Sequence, residues 1–349
     1  MMRALVVTAL ALLLACAPVA HAADKNAGEV VVYNWSEYIP QDVLDNFTKE
    51  TGIKVVYSTF EANEAMYAKV KLLQGKGYDV VVPSSYFVEQ MHKEKLLAPL
   101  NKSKLPNLAN LDPKTLNQAY DPDNVYSVPY MWGTVGIGYN TKHIPAGSVT
   151  KWADLLRPEY KGKVILTDDL RDAFAIALKA SGGSLNSADE SHIKTAYEFL
   201  KQLKSSVRIF DVTAIKQALI GEEVWIGPIW SGDFLVAQEE SPNLAFAFPE
   251  EGVILWVDCF AIPKGSKNVE NAHIFINYML RPEVAARCVQ EYKYSTPNTK
   301  ALPLLPAELR DNPVLNPGDK ELKNGEYIGN LGQALGTYEK YWEVLKTSK

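Results

Sequence analysis

The chain has 349 residues, 36 lysines and arginines against 41 aspartates and glutamates, and 10% aromatics, for a formal net charge of −5. This mildly acidic balance, without a basic run or basic–aromatic interleaving, argues against nucleic acid as a partner. The length suits two domains of ordinary size, and beyond the N-terminus no apolar run approaches a membrane span.

Met1-Met2-Arg3 carries one positive charge, an apolar run extends to Val19, and Ala20-His21-Ala22 offers small residues at the cleavage positions. Residues 1–22 therefore read as a secretory signal peptide, set aside from the fold. Leu13-Leu14-Ala15-Cys16 has the shape of a lipoprotein site, a less favoured reading in which Cys16 is the anchor. Either route exports the chain.

Strand and helix then alternate: strands over 30–35, 53–59 and 78–83, helices over 41–51, 63–74 and 88–93. Valine-rich continuous strands in this order predict a parallel sheet covered on both faces. Pro40 suits a helix start, and Gly52 and Gly75 suit helix ends. Residues 101–124 are Pro/Asn-rich loop. Residues 126–139 read as an extended, glycine-punctuated crossing. A second α/β block follows, with strands near 163–167, 207–210, 224–230 and 244–248 and helices near 173–180, 191–204 and 214–220. Another extended run covers 256–263, then come helices over 269–280 and 282–290, a second loop over 296–319, and an amphipathic C-terminal helix within 329–346. Two α/β blocks joined by extended crossings predict an α/β protein of two lobes with a cleft between them. The expected division is residues 28–134 plus 257–302 in lobe 1 and 135–256 plus 303–349 in lobe 2.

Two short runs pair a tryptophan with a carboxylate two residues on, Trp35-Ser36-Glu37 and Trp256-Val257-Asp258. In extended chain such residues share a face, so each run offers one aromatic and one acid together. That combination receives an organic cation well. Further acids and aromatics fit the same role: Tyr38, Tyr86, Asp169, Asp172, Trp230 and Tyr294. Trp35–Tyr38, Ser84–Tyr86, Thr167–Asp172 and Trp230 sit at the carboxyl ends of predicted strands, where open α/β sheets bind ligands.

Several runs carry a family resemblance: Tyr33-Asn34-Trp35-Ser36-Glu37-Tyr38, Thr51-Gly52-Ile53-Lys54-Val55, Val81-Val82-Pro83-Ser84-Ser85-Tyr86, Leu166-Thr167-Asp168-Asp169, Trp256-Val257-Asp258 with Ala261-Ile262-Pro263, and Ser295-Thr296-Pro297-Asn298. In this order the chain resembles the periplasmic polyamine-binding proteins of bacterial ABC transporters, over essentially the whole mature length. The resemblance implies the two-lobed periplasmic-binding-protein fold (type II), putrescine or spermidine as ligand and an inner-membrane ABC permease as partner. It also implies a monomer with no cofactor and no metal. Under it, Trp35, Tyr38, Tyr86, Trp230, Trp256 and Tyr294 box a methylene chain. Glu37, Asp169, Asp172 and Asp258 receive ammonium groups, and Ser36 and Ser84 add polar contacts. An ammonium has three donors and no acceptor, so converging oxygens are what it needs. Two positions depart from the spermidine-preferring pattern. Asp172 stands where those relatives carry glutamate, and Ile328 aligns with a glutamine. Glu326 is the nearby acid that could serve a third ammonium in its place.

Blander readings compete. Each tryptophan alone is more often a core aromatic, and Asp169 suits the N-cap of the helix beginning near Leu170. Arg171 is expected to orient a neighbouring acid. Tyr292 with Tyr294 resembles the tyrosine pair of ferric-iron-binding proteins on this scaffold, and Cys259 beside Asp258 raises an enzyme reading. Neither has an accompanying base or His–acid set. Cys259 and Cys288 are expected to be buried free thiols, with a disulfide as the alternative.

Overall fold

A computed structural model of the chain describes residues 28–347; the expected signal segment and Cys16 lie outside the described residues. The strands are β1 (Glu29–Trp35), β2 (Lys54–Phe60), β3 (Val80–Val81), β4 (Ser127–Asn140), β5 (Val164–Leu166), β6 (Val207–Phe210), β7 (Ile226–Trp230), β8 (Leu244–Ala247), β9 (Ile254–Ala261) and β10 (Glu326–Tyr327). They form one sheet in the order β2-β1-β3-β9-β4-β7-β5-β6, with β8 on β4 and β10 on β9.

Two parallel trios flank the sheet, β2-β1-β3 on one side and β7-β5-β6 on the other. β4 and β9 join them as an antiparallel ribbon, paired from Ser127–Ala261 to Val135–Ile254, with a register shift between Pro129 and Met131. Proline has no N–H to give a ladder, so the shift falls where pairing is already interrupted. β3 meets β9 at Ala261, near one end of the ribbon, and β7 meets β4 from Val135 onward, near the other. The long extended chain predicted at 126–139 and 256–263 is this ribbon.

Helices cover the trios much as the sequence predicted. Helix Gln41–Thr51 starts after Pro40 and ends at Gly52, and helix Leu170–Ala180 packs on the C-terminal helix Leu335–Thr347 through Phe174 and Tyr338, ring centroids 5.0 Å apart. Helix Ser231–Glu240 and strand β10 were not expected from the sequence. The first lacks an apolar stripe, because its buried residues Ser231, Gly232, Phe234, Leu235 and Ala237 mix polar and apolar. The second is two residues held by β9. The loop expected at 101–124 is wound into short 3-10 turns at 102–104, 106–110, 113–115 and 122–124. Cys259 and Cys288 are free and buried. No described helix is long and apolar enough to cross a membrane.

Candidate ligand-binding site

The carboxyl ends of β1, β2, β3, β5, β6 and β7 and one face of β9 converge on a cavity of about 340 Å³. All twelve residues singled out in the sequence line it: Trp35, Ser36, Glu37 and Tyr38 after β1; Ser84 and Tyr86 after β3; Asp169 and Asp172 after β5; Trp230 at the end of β7; Trp256 and Asp258 on β9; and Tyr294. Ile328 completes that wall.

The aromatic box rests on bare backbone. A Cβ at Gly133 of β4 would lie 2.6 Å from the Trp256 indole, and one at Gly232 would lie 2.4 Å from the Tyr294 ring. Any side chain at either position would push its ring into the cavity. Trp256 and Tyr294 then meet edge-on, centroids 5.3 Å apart, and Tyr38 lies 5.4 Å from Tyr294. Trp35 is fixed by its indole N–H, which donates to the Val82 carbonyl at 3.0 Å, and by Phe60 at 4.5 Å.

Glu61 accepts from Ser36 Oγ at 2.8 Å, and the other carboxylates fall into three groups. Asp258 is buried, and accepts hydrogen bonds from Tyr38 Oη at 2.5 Å and Ser84 Oγ at 2.6 Å. Ser84 is itself held by Asn63, whose Nδ2 donates to Ser84 Oγ at 2.9 Å and to Tyr86 Oη at 3.1 Å. Burial raises Asp258 from its ordinary 3.8 to about 6, although both hydroxyl donors pull it down. The second group is Asp169 with Asp172. Asp169 Oδ1 caps its helix by accepting from the Asp172 N–H at 2.9 Å, so the capping role and the place on the cavity wall coexist. Burial, and then the Asp169 charge, push Asp172 well above the usual carboxylate range. The third group is Glu37 with Asp233, whose carboxyl is raised by burial and accepts from Tyr294 Oη at 3.1 Å. Glu37 is exposed and holds a left-handed φ of 52°.

Arg171 departs from expectation. Its guanidinium donates to Asn186 Oδ1 at 3.0 Å and the carbonyls of Gly329 and Leu185 at 3.1 and 3.4 Å, so its hydrogen bonds tie the 185–186 turn to the chain after β10. Its charge opposes the rise that burial imposes on both aspartates, and its backbone also hydrogen-bonds Asp169. Glu326 likewise turns away from the cavity, bound to Lys179 Nζ at 2.9 Å and Ser184 Oγ at 2.7 Å. Tyr292 is not among the cavity residues, and no described group of histidines, cysteines and acids could hold a metal ion.

Glu61, Asn63, Lys216 and Asp233 line the cavity without having been picked out in the sequence. They lie just past the ends of β2, β6 and β7, so the same strand-end rule would have reached them. Nothing in their immediate neighbours advertises a role.

Chemically the cavity presents aromatic walls between separated anionic groups. Taking even one ammonium from water costs several kcal/mol, so each needs its own carboxylate. Cation–π contact adds about 0.5–2 kcal/mol on top. The arrangement suits a flexible aliphatic chain carrying an ammonium at each end.

Comparison with known proteins points the same way. The family model described as bacterial extracellular solute-binding protein matches residues 42–317. A spermidine/putrescine-binding periplasmic protein of Escherichia coli is 44% identical over 330 residues, covering 95% of this chain and 94% of that one. A putrescine-binding periplasmic protein of the same organism is 37% identical over 305 residues, 82% of each chain. Among solved structures, the spermidine/putrescine ABC transporter substrate-binding protein of Streptococcus pneumoniae superposes with a TM-score of 0.81 at 38% identity, covering 91% of this chain and 98% of that one.

Proposed function

The chain belongs to the bacterial extracellular solute-binding proteins, and from that premise we propose that it is the periplasmic receptor of a polyamine ABC transporter. It binds putrescine or spermidine and delivers it to the membrane permease; it is not an enzyme. The observation that carries this reading is the cavity itself, where Asp258 and the Asp169–Asp172 pair stand apart on walls of tryptophan and tyrosine. An enzyme or ferric-iron reading gains no support from these residues: among the described residues no histidine or cysteine lines the cavity, and Tyr294 is engaged with Asp233.

In this reading Asp258 takes one ammonium, Asp169 and Asp172 another, and Trp35, Trp230, Trp256, Tyr38, Tyr86 and Tyr294 sheathe the methylenes. Lobe 1 comprises residues 28–134 plus 257–302 and lobe 2 residues 135–256 plus 303 onward, with the β4–β9 ribbon as the bend. Ligand draws the lobes together as in other periplasmic binding proteins. Small-angle scattering should therefore show a smaller radius of gyration with saturating polyamine than without. An unchanged radius under verified binding counts against closure.

Ile328 bears on ligand length. It is buried, its N–H donates to the Leu255 carbonyl at 3.0 Å, and its side chain offers a terminal amine nothing to bond. With Glu326 committed to Lys179 and Ser184, a third ammonium placed there loses its water without a replacement, at about 1–3 kcal/mol or more. Titration calorimetry with putrescine, cadaverine, spermidine and spermine tests the function as a whole. Spermidine should be favoured less than in glutamine-bearing relatives, and Ile328→Gln should shift the balance toward it. A strong spermidine preference in the wild type, unmoved by the substitution, would show that Ile328 does not set ligand length.

A further inference from the structure

Among the described residues lining the cavity, Lys216 is the only lysine or arginine. Its Nζ lies 3.4 Å from Glu37 Oε2 and 3.7 Å from Asp233 Oδ1, on a side chain 19% exposed. Lys216 and Asp233 come from the helices after β6 and β7, whereas Glu37 follows β1, so this ion pair reaches across the cleft from one parallel trio to the other. The first two carboxylate groups have no such partner: Asp258 is met only by hydroxyls, and Asp169 and Asp172 feel Arg171 at a distance.

A lysine side chain is an aliphatic stem ending in a primary ammonium, the same chemical unit as one end of a polyamine. We infer that Lys216 is a resident competitor for the ligand: it holds the Glu37–Asp233 group for itself and so sets how many positive charges the cavity accepts. The inference rests on the polyamine reading above. A diamine places its two ammoniums at Asp258 and at Asp169–Asp172 and leaves Lys216 where it is. A triamine brings a third ammonium into a cleft that already contains one. It must either displace Lys216 from Glu37 and Asp233 or lie near a like charge in surroundings of low dielectric, where repulsion is far stronger than in water. Lys216 thereby discriminates against the higher charge by repulsion, acting alongside Ile328, which merely withholds a contact.

Wild type, Lys216→Met, Lys216→Gln and Lys216→Arg should be titrated calorimetrically with putrescine and with spermidine at pH 7.5. Removing the charge by either neutral residue is expected to tighten spermidine on the order of tenfold and putrescine by much less, shifting the ratio of the two dissociation constants. Lys216→Arg should keep the wild-type ratio. The glutamine variant keeps a polar tip, so the measurement survives if the methionine variant folds poorly. If Lys216 were instead a strut that favours the closed cleft, the neutral variants would weaken both polyamines alike. That result, or an unchanged ratio, overturns the inference while leaving the polyamine reading intact. Wild-type protein that binds neither polyamine removes the reading, and this inference with it.

Discussion

Asp258→Asn is expected to weaken polyamine binding by about 2–5 kcal/mol, the usual consequence of removing one member of a buried, hydrogen-bonded charge pair. The carboxylate lies on β9, its strand locked by the Cys259 N–H donating to the Pro83 carbonyl at 2.9 Å, and both its oxygens are aimed by Tyr38 and Ser84. An ammonium arriving there meets a fixed anion rather than a mobile one, so little ordering remains to be done on binding. Asparagine keeps the shape while losing the charge and one of the two acceptor oxygens, so packing is left out of the comparison. Trp256→Ala should also cost heavily, through lost aromatic area and cation–π contact, and it leaves a void over Gly133. Calorimetry on folded variants reads both. An Asp258→Asn protein that binds as tightly as wild type would falsify the assignment of this carboxylate to the ligand.

The same substitution should raise the stability of the unliganded protein near neutral pH by about 1–3 kcal/mol. Burial lifts the Asp258 carboxyl from 3.8 to about 6, so between those values the folded chain holds a proton that the unfolded chain has released. Wherever the folded state binds more protons, stability falls as pH rises. The penalty is absent below about pH 4, grows through the window and is complete above pH 6. Thermal melts of wild type and Asp258→Asn should therefore agree best near pH 4 and separate toward pH 7, with the variant the higher. Ligand affinity in the wild type runs the other way, declining as pH drops through about 6 because the carboxylate must shed its proton before it can pair. Asp169 and Asp172, which receive the other ammonium and are also raised by burial, add to the loss of affinity toward low pH. Melting curves that stay parallel across the range would show that Asp258 does not titrate in this window.

Much of the fold was legible because the strands are continuous valine-rich runs and the helices carry clear stops, as at Pro40 and Gly52. The site was legible for a related reason at Trp256 and Asp258, which share a face of β9. At Trp35 and Glu37 the extended-chain expectation fails, because β1 ends at Trp35 and Glu37 stands in a turn with φ 52°. Those two reach the cavity through the strand-end rule instead. Helix Ser231–Glu240 was not legible, because packing between Tyr294 and the sheet, rather than a stripe of its own, decides which of its residues are buried. With it went Asp233, three residues beyond Trp230. Lys216 was hidden by its type, since a lysine at a helix start reads as a solvated surface charge until the tertiary fold brings Glu37 opposite. Gly133 and Gly232 look like ordinary strand and turn glycines in the sequence, and only the rings lying on them reveal why no side chain fits. The partners chosen by Arg171 lie in a turn and in the chain after β10, more than ten residues away, which local spacing does not reveal.

Cys259 and Cys288 lie wholly inside the protein, and burial drives both thiols upward, Cys288 to about 12 and Cys259 further still. At neutral pH almost none of either is thiolate, the form that attacks an electrophile. A single cysteine placed on the cleft rim would consequently be the one that reacts with a maleimide dye, with both native thiols left in place. An environment-sensitive fluorophore coupled there, beside the opening lined by Glu37 and Thr213, would turn the protein into a reagentless optical sensor for its ligand.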